Sequence, residues 1–249
     1  MGKRQGGGTQ SFHAACQREL AATKEELRRS QEHLALFAGQ VSHDLRTPLT
    51  AILAQAEMLA AEPAVKGDED LGWMVEAIAR ASRRLNTMIE QMLDYARGGG
   101  EVALGVTDLG RVVEAVIRDL TPAIAEADAQ VTVHALPTLA ADPRQMHAVF
   151  LNLLSNAIMF SRPDVLPRVH VGAERVGERW RISVSDNGIG VAPERREAMF
   201  ALFARVDKRI EGAGIGLAVA KRVVEAHEGR IGMEDSPGGG TTVWFELPA

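Results

Sequence analysis

Between residues 69 and 97, apolar side chains recur at the spacing of a single helix face: Leu71, Met74, Val75, Ile78, Ala81, Leu85, Met88, Ile89, Met92 and Leu93. Positions three and four apart lie on one side of an α-helix, so this stripe specifies both a helix and a face that must be covered. Another helical stretch precedes it, ending at about Ala61. Glu62–Asp68 (EPAVKGD) reads as the loop between the two because of Pro63 and Gly67. Two long helices with a short connection form an antiparallel hairpin. A lone hairpin of this length cannot bury its apolar stripe. Two copies paired as a four-helix bundle can, so a homodimer is expected.

Upstream, Leu20, Leu27, Leu34 and Val41 recur every seven residues, while the alternate layer holds Lys24, Gln31, Ala38 and Leu45. Such a mixed seam predicts a parallel coiled coil of limited stability; the alternative is one long amphipathic helix packed on its own domain. Residues 1–10 are glycine-rich and polar, and read as a flexible leader or an expression-derived scar. Nothing reads as a sensor domain, so the input is expected from another chain or from a sensor cut away from this one. No apolar run nears the roughly 18–20 residues that cross a bilayer. The single cysteine, Cys16, excludes an internal disulfide and fits a reducing, cytoplasmic setting. With aromatics at 4 % the core has to be aliphatic, and a net charge of −5 gives no electrostatic case for nucleic acid.

Gly98–Gly100 marks a hinge, and residues 98–105 read as a linker. Beyond it the pattern becomes mixed. Leu109, Val112, Val113, Val116, Ile117, Leu120 and Ile124 mark an amphipathic helix, and Gln130–Leu136 (QVTVHAL) alternates as a strand. Asp142 followed by Pro143 reads as an N-cap and a first helical residue, opening a helix that carries Asn152 and Asn156. Two strands, RVHVGAER and ERWRISVSD, flank a turn at Val176–Glu178. A helix follows Gly214, and strands close the chain around Gly229–Met233 and Thr241–Leu247. The chain therefore reads as α+β: a helical hairpin, then a two-layer α/β sandwich over residues 106–249.

The stretch VSHDLRTPLT (Val41–Thr50) sets an imidazole, His43, beside a carboxylate, Asp44, with a hydroxyl, Thr47, one helical turn on. A neutral imidazole, whose unperturbed pKa is about 6.5, is a competent nucleophile near pH 7. Asp44 can hold the other ring nitrogen or accept its proton, and Thr47 can orient a water at a phosphorylated imidazole. Pro48 removes one amide from the helix ladder and frees the carbonyl of Asp44, which kinks the helix beside the nucleophile. About 140 residues later come signals of another kind. Asp186 closes a strand, where a carboxylate accepts hydrogen bonds from an amine edge such as adenine's. Gly188 and Gly190 in DNGIG let the backbone turn sharply toward a ligand. Gly212, Gly214 and Gly216 in GAGIGLA precede an apolar helix whose free amides can hold anionic oxygens. Asn152 and Asn156 share a helix face, and an amide oxygen suits Mg²⁺. A nucleophile on one element and a nucleotide site on another suggest phosphoryl transfer onto the protein's own histidine. The remaining histidines (His13, His33, His134, His147, His170 and His227) have no paired metal-ligand spacing.

Together these strings resemble bacterial sensor histidine kinases of two-component systems. VSHDLRTPLT resembles their phospho-acceptor box, NLLSNA (Asn152–Ala157) their N box, and DNGIG and GAGIGLA their two ATP-site glycine boxes. MFALF (Met199–Phe203) resembles their F box and GGGTTVWFELP their carboxyl-terminal end. The resemblance runs in family order over about residues 30–249. It implies a coiled-coil signalling helix at 11–32, a dimerisation and histidine phosphotransfer domain at 33–97, and a catalytic ATP-binding domain at 106–249. That last fold is shared with gyrase, MutL and a heat-shock chaperone family. By position the resemblance makes His43 the phosphorylated residue and Asp44 its general base, and gives Thr47 to dephosphorylation of the partner. Asn156 is implied as the Mg²⁺ ligand, with Asn152 beside the phosphates. Asp186 is implied as the adenine reader, assisted by Thr242 or Thr241. The implied cofactors are ATP and Mg²⁺. The implied partner is a response regulator, docking on the hairpin below His43 and taking the phosphoryl group on an aspartate, with phosphatase activity toward it also expected. The short basic segment Arg205–Glu211 reads as a lid over the triphosphate, with Arg205 and Lys208 as phosphate contacts.

Two positions depart from the family pattern. Met159 stands where a lysine is common, three residues after Asn156, and Leu202 stands where the F box often has arginine or proline. Arg162, Arg205, Lys208 and Arg209 are candidates for the missing charge. Catalysis of this type is mostly positioning and neutralisation, so loss of one cation slows transfer more than it abolishes it. A degenerate kinase acting as scaffold or phosphatase is the competing expectation. An ATPase of the gyrase or MutL type would leave His43 without a purpose.

Overall fold

The computed structural model describes residues 42, 44–97, 102–205 and 214–249. The leader, the heptad segment of 11–32, His43, the hinge Gly98–Gly100, and Lys208, Arg209 and Gly212 lie outside the described residues. The hairpin begins with a helix over residues 44–61 (α1). The connection expected to be a plain loop holds one helical turn, α2 (Pro63–Lys66), because Pro63 at its start has the φ a helix needs and no amide to leave unpaired. The long α3 (Glu69–Arg97) opens on acidic residues, Glu69 and Asp70, and Asp68 Oδ1 accepts from the amide of Leu71 at 3.1 Å. Both features offset the bare amides of a helix start. Between the helices lies a small core of Ala56, Val75 and Ala79 backed by Leu53 and Val65. Arg46–Glu90 at 3.8 Å and Arg83–Glu57 at 3.7 Å set the antiparallel pairing, although such exposed pairs stabilise little.

The second region is a lobe with its own core. Its elements are β1 (Gly105–Asp108), α4 (Leu109–Asp119), α5 (Thr121–Glu126), β2 (Gln130–Val133), β3 (Thr138–Ala141) and α6 (Pro143–Met159). They continue with β4 (Arg168–Val176), β5 (Arg179–Asp186), two short 3-10 turns, α7 (Gly216–Ala226), β6 (Arg230–Asp235) and β7 (Thr241–Pro248). Five strands form a sheet in the order β2-β4-β5-β7-β6, with β2 parallel to β4 and the other pairs antiparallel. Inward residues alternate along it: Val169 and Val171, Ile182 and Val184, Phe245 and Leu247 are all buried. Helices α4, α6 and α7 cover that face, and Phe150 of α6 meets Phe245 edge-on at 5.7 Å. The result is a two-layer sandwich.

Two local expectations are corrected and one pair of strands is added. The helix read from Leu109 through Ile124 breaks at Leu120, because Pro122 sits in the first turn of α5 and cannot donate to the preceding turn. The strand read over Gln130–Leu136 ends at Val133, with a last bond from the amide of His134 to the carbonyl of Val171 at 2.9 Å. A second sheet, β1 with β3, joins Gly105–Asp108 to Thr138–Ala141; each strand is four residues long, too short to announce itself by alternation.

Candidate nucleotide site

A cleft lies between α6, α7 and the sheet, with apolar walls and a few convergent polar groups, as ordinary ligand sites have. Asn156, Met159 and Phe160 line it from α6; Asp186, Ile189 and Gly190 from the end of β5; Gly214, Gly216 and Leu217 from the start of α7; Thr241 from β7. Asp142 makes the α6 wall stand where it does. Its Oδ1 accepts from the amides of Arg144 (2.9 Å) and Gln145 (3.3 Å), capping the helix that carries both asparagines.

Asp186 is the polar focus. Its Oδ1 accepts from the amides of Gly188 (2.8 Å) and Thr241 (3.1 Å), while no described group bonds Oδ2. Burial pushes its pKa up from the ordinary 3.8, and the two amide bonds pull it partly back. One oxygen is thus fixed and the other is left as an acceptor for a ligand N–H. Gly188 has to be glycine: a Cβ there would drive into the carbonyl oxygen of Phe160, which also accepts from the amide of Ile189 at 3.0 Å.

Asn156 lines the cleft, and among the described residues its side-chain amide has no hydrogen-bond partner, which suits a hard-oxygen ligand for Mg²⁺. Asn152 does not line the cleft. It is buried, its Nδ2 donates to the carbonyl of Ala148 at 2.8 Å, and its Oδ1 lies against Gly216, where a Cβ would clash. Its place is under the start of α7, holding that helix against α6, rather than beside a ligand. Gly190 and Gly214 line the cleft with positive φ, and Arg205 reaches it from the chain before α7. Lys208 and Gly212, expected with Arg205 and Gly214 around the phosphates, lie outside the described residues.

Of the two threonines expected beside Asp186, Thr242 does not line the cleft and Thr241 does. Successive strand residues face opposite sides of a sheet, and it is Thr241 that opens on the cleft. Thr242 instead shares a 2.8 Å hydrogen bond with Ser185 on the far face. Arg162 does not supply the missing phosphate charge either: its Nε donates to the carbonyl of Asn187 at 2.8 Å. Sequence reasoning missed Asn187, whose Oδ1 accepts from the amide of Arg168 and whose Nδ2 donates to the carbonyl of Leu166, both at 2.9 Å. Its position inside DNGIG was the available signal. The apolar lining of Met199, Met233 and Val243 was also missed, since those side chains converge only in the fold.

On the hairpin, Asp44 and Thr47 are exposed one turn apart on α1, Ser42 is buried, and His43 lies outside the described residues. Tyr95 of α3 packs against the lobe, with the guanidinium of Arg222 of α7 4.9 Å above its ring. No described residue of α1 or α3 lines the cleft.

Two family models match, one after the other. "His Kinase A (phospho-acceptor) domain" matches residues 33–101, and "Histidine kinase-, DNA gyrase B-, and HSP90-like ATPase" matches residues 141–249. Cyanobacterial phytochrome A from Nostoc sp. is 34 % identical over 233 residues, covering 92 % of this chain and 30 % of that protein. Sensor histidine kinase AruS from Pseudomonas aeruginosa is 34 % identical over 241 residues, covering 92 % of this chain and 24 % of its own. The chain thus spans less than a third of these relatives' length. The crystal structure of full-length ShkA in complex with AMPPNP aligns with a TM-score of 0.65 at 30 % identity, covering 85 % of this chain and 45 % of that one. An acceptor hairpin and an ATPase-type lobe, in this order and on this fold, place the chain among the sensor histidine kinases of two-component systems.

Proposed function

We propose that this chain binds ATP with Mg²⁺ in the cleft and passes the γ-phosphoryl group to His43, of its own hairpin or of its dimer mate. The observation that carries the reading is Asp186: a carboxylate at the cleft wall with one oxygen pinned by two backbone amides and the other open to an amine. An adenine amino group fits that acceptor. Asn156 would hold Mg²⁺, which when bound neutralises phosphate charge. The start of α7 and Arg205 would hold the phosphates. At the acceptor, Asp44 would take the proton from the imidazole as its other nitrogen attacks phosphorus.

From His43 the phosphoryl group would move to an aspartate of a separate response regulator docked on the hairpin. Thr47, one turn from His43, would orient water for the reverse task, dephosphorylating that regulator. Family membership supports the regulator as partner. The exposed stripe of Leu71, Met74, Ile78, Leu85 and Met92 on α3 supports a second copy of the chain as the other. An upstream sensor, in another chain or beyond these residues, would set the activity, in the reducing cytoplasmic setting that the lone Cys16 suits. Boundaries at 11–32, 33–97 and 106–249 for signalling helix, acceptor domain and ATP domain are part of the proposal.

The experiment is a chase: chain labelled from ATP, freed of nucleotide, then mixed with receiver domains. Label leaving the chain for a receiver aspartate supports the reading; label that no receiver accepts overturns the regulator. The exposed Met159 on the cleft wall favours one rival, a nucleotide-binding scaffold with little kinase activity. Binding of ADP without any labelling from ATP would decide for it.

A further inference from the structure

Arg162 stands two residues beyond the C-cap of α6, Phe160, on the short segment that leads to β4. Its Nε donates to the carbonyl of Asn187 at 2.8 Å, and one terminal nitrogen lies 3.5 Å from the carbonyl of Gly238. The guanidinium also lies along Gly239, with atoms 3.6–3.8 Å from where a Cβ would be. These two carbonyls belong to two different loops. Asn187 precedes Gly188, whose amide holds Asp186 Oδ1; Gly238 leads through Gly240 to Thr241, whose amide holds the same oxygen. Gly240 packs so closely on Asp186 that a side chain there would strike the carboxylate.

One amide that orients Asp186 thus sits on the first of these loops and the other on the strand residue that directly follows the second, and one side chain from a third segment bridges the two loops. We propose that Arg162 is a positioning residue for base recognition: a planar fork that braces the two loops, fixes the direction of the Asp186 carboxylate, and so sets the preference for a base bearing an exocyclic amine. Guanidinium suits the task because its donors are fixed in one plane and spread over three nitrogens, whereas an ammonium's three donors all leave a single, freely rotating nitrogen. The bond to Asn187, at 2.8 Å, has the length of a charge-assisted hydrogen bond, while the contact to Gly238, at 3.5 Å, is the weaker arm of the brace.

The inference rests on the cleft being an adenine-nucleotide site, and the test separates the two. The full chain is titrated with ADP and with IDP, each with Mg²⁺, for the wild type, Arg162→Ala and Arg162→Lys, with melting temperatures taken in parallel. IDP carries the same phosphates but a carbonyl in place of the amine. The wild type is expected to prefer ADP by about tenfold or more, the worth of a buried hydrogen bond with its partner left unpaired. Arg162→Ala should lower ADP affinity by about tenfold and IDP affinity by about twofold or less, so the preference collapses. Arg162→Lys should recover part of it. Equal losses for both nucleotides, as a phosphate-binding cation or a loosened fold would give, overturn the proposal. So does an unchanged ratio. A wild type that binds neither nucleotide overturns the site itself instead.

Discussion

The hairpin and the lobe bury their apolar residues by different means. In the lobe, Leu109, Val113, Val116, Met146, Phe150, Phe245 and Leu247 are fully enclosed by their own chain. In the hairpin, Leu71, Trp73, Met74, Ile78, Leu85 and Met92 remain 44–69 % exposed while small residues, Ala56 and Ala79, fill its narrow seam. A closed core supports a rigid cleft whose carboxylate and amides must keep their geometry. An open stripe is a surface for assembly, since unburied side chains of this size gain stability only when another copy covers them. The division suits a molecule in which one part holds a ligand and the other brings two chains together.

If the lobe is self-contained, Phe245→Ala should destabilise it by about 3–5 kcal/mol, since the ring is enclosed and packed edge-on against Phe150. Calorimetry should show the lobe's transition falling while the hairpin's dimer, followed by sedimentation, survives. The reverse experiment is Ile78→Glu with Leu85→Glu. Burying these carboxylates in a helical seam costs several kcal/mol, so dimer affinity should drop by about a hundredfold or more. The lobe's melting and its ADP affinity should stay as they were; a dimer that persists would break the comparison.

Within the lobe, Asp186→Asn should weaken ADP by about tenfold. Stability should move the other way. The folded-state pKa of Asp186 is raised, so its ionised form opposes folding at neutral pH, and that penalty fades as pH falls through the raised value and is gone below 3.8. The asparagine variant should therefore melt no lower than the wild type at pH 7, with any gain vanishing in acid. The smallest effect is expected from Met159→Lys: a half-exposed cation on the cleft wall should tighten ATP a few-fold and leave adenosine unchanged.

Much of this architecture is legible in the residues themselves. The stripe from Leu71 to Leu93 marks α3, and Asp142 with Pro143 marks the start of α6, because caps and periodicity are local. Asp186, Gly190, Gly214 and Asn156 meet at one cleft as their motifs suggest. What escaped depends on partners distant in sequence. The β1–β3 pair joins residues thirty or more positions apart in four-residue strands. Thr241 and Thr242 are chemically alike, and only the register of β7 against β5 decides which opens on the cleft. Asn152 looks like a ligand group by type, yet the closeness of Gly216 assigns it to packing. Arg162 looks like a spare cation until the carbonyl of Asn187 comes within reach.

The decisive experiment follows one phosphorus atom from the lobe to the hairpin. The full chain is incubated with γ-labelled ATP and Mg²⁺, and the label is mapped for the wild type, His43→Ala and Asn156→Ala. Acid-labile label on His43 of the wild type, lost in both variants while His43→Ala still binds ADP, is the expected result. Label that survives His43→Ala, or that sits on any other residue, would contradict it.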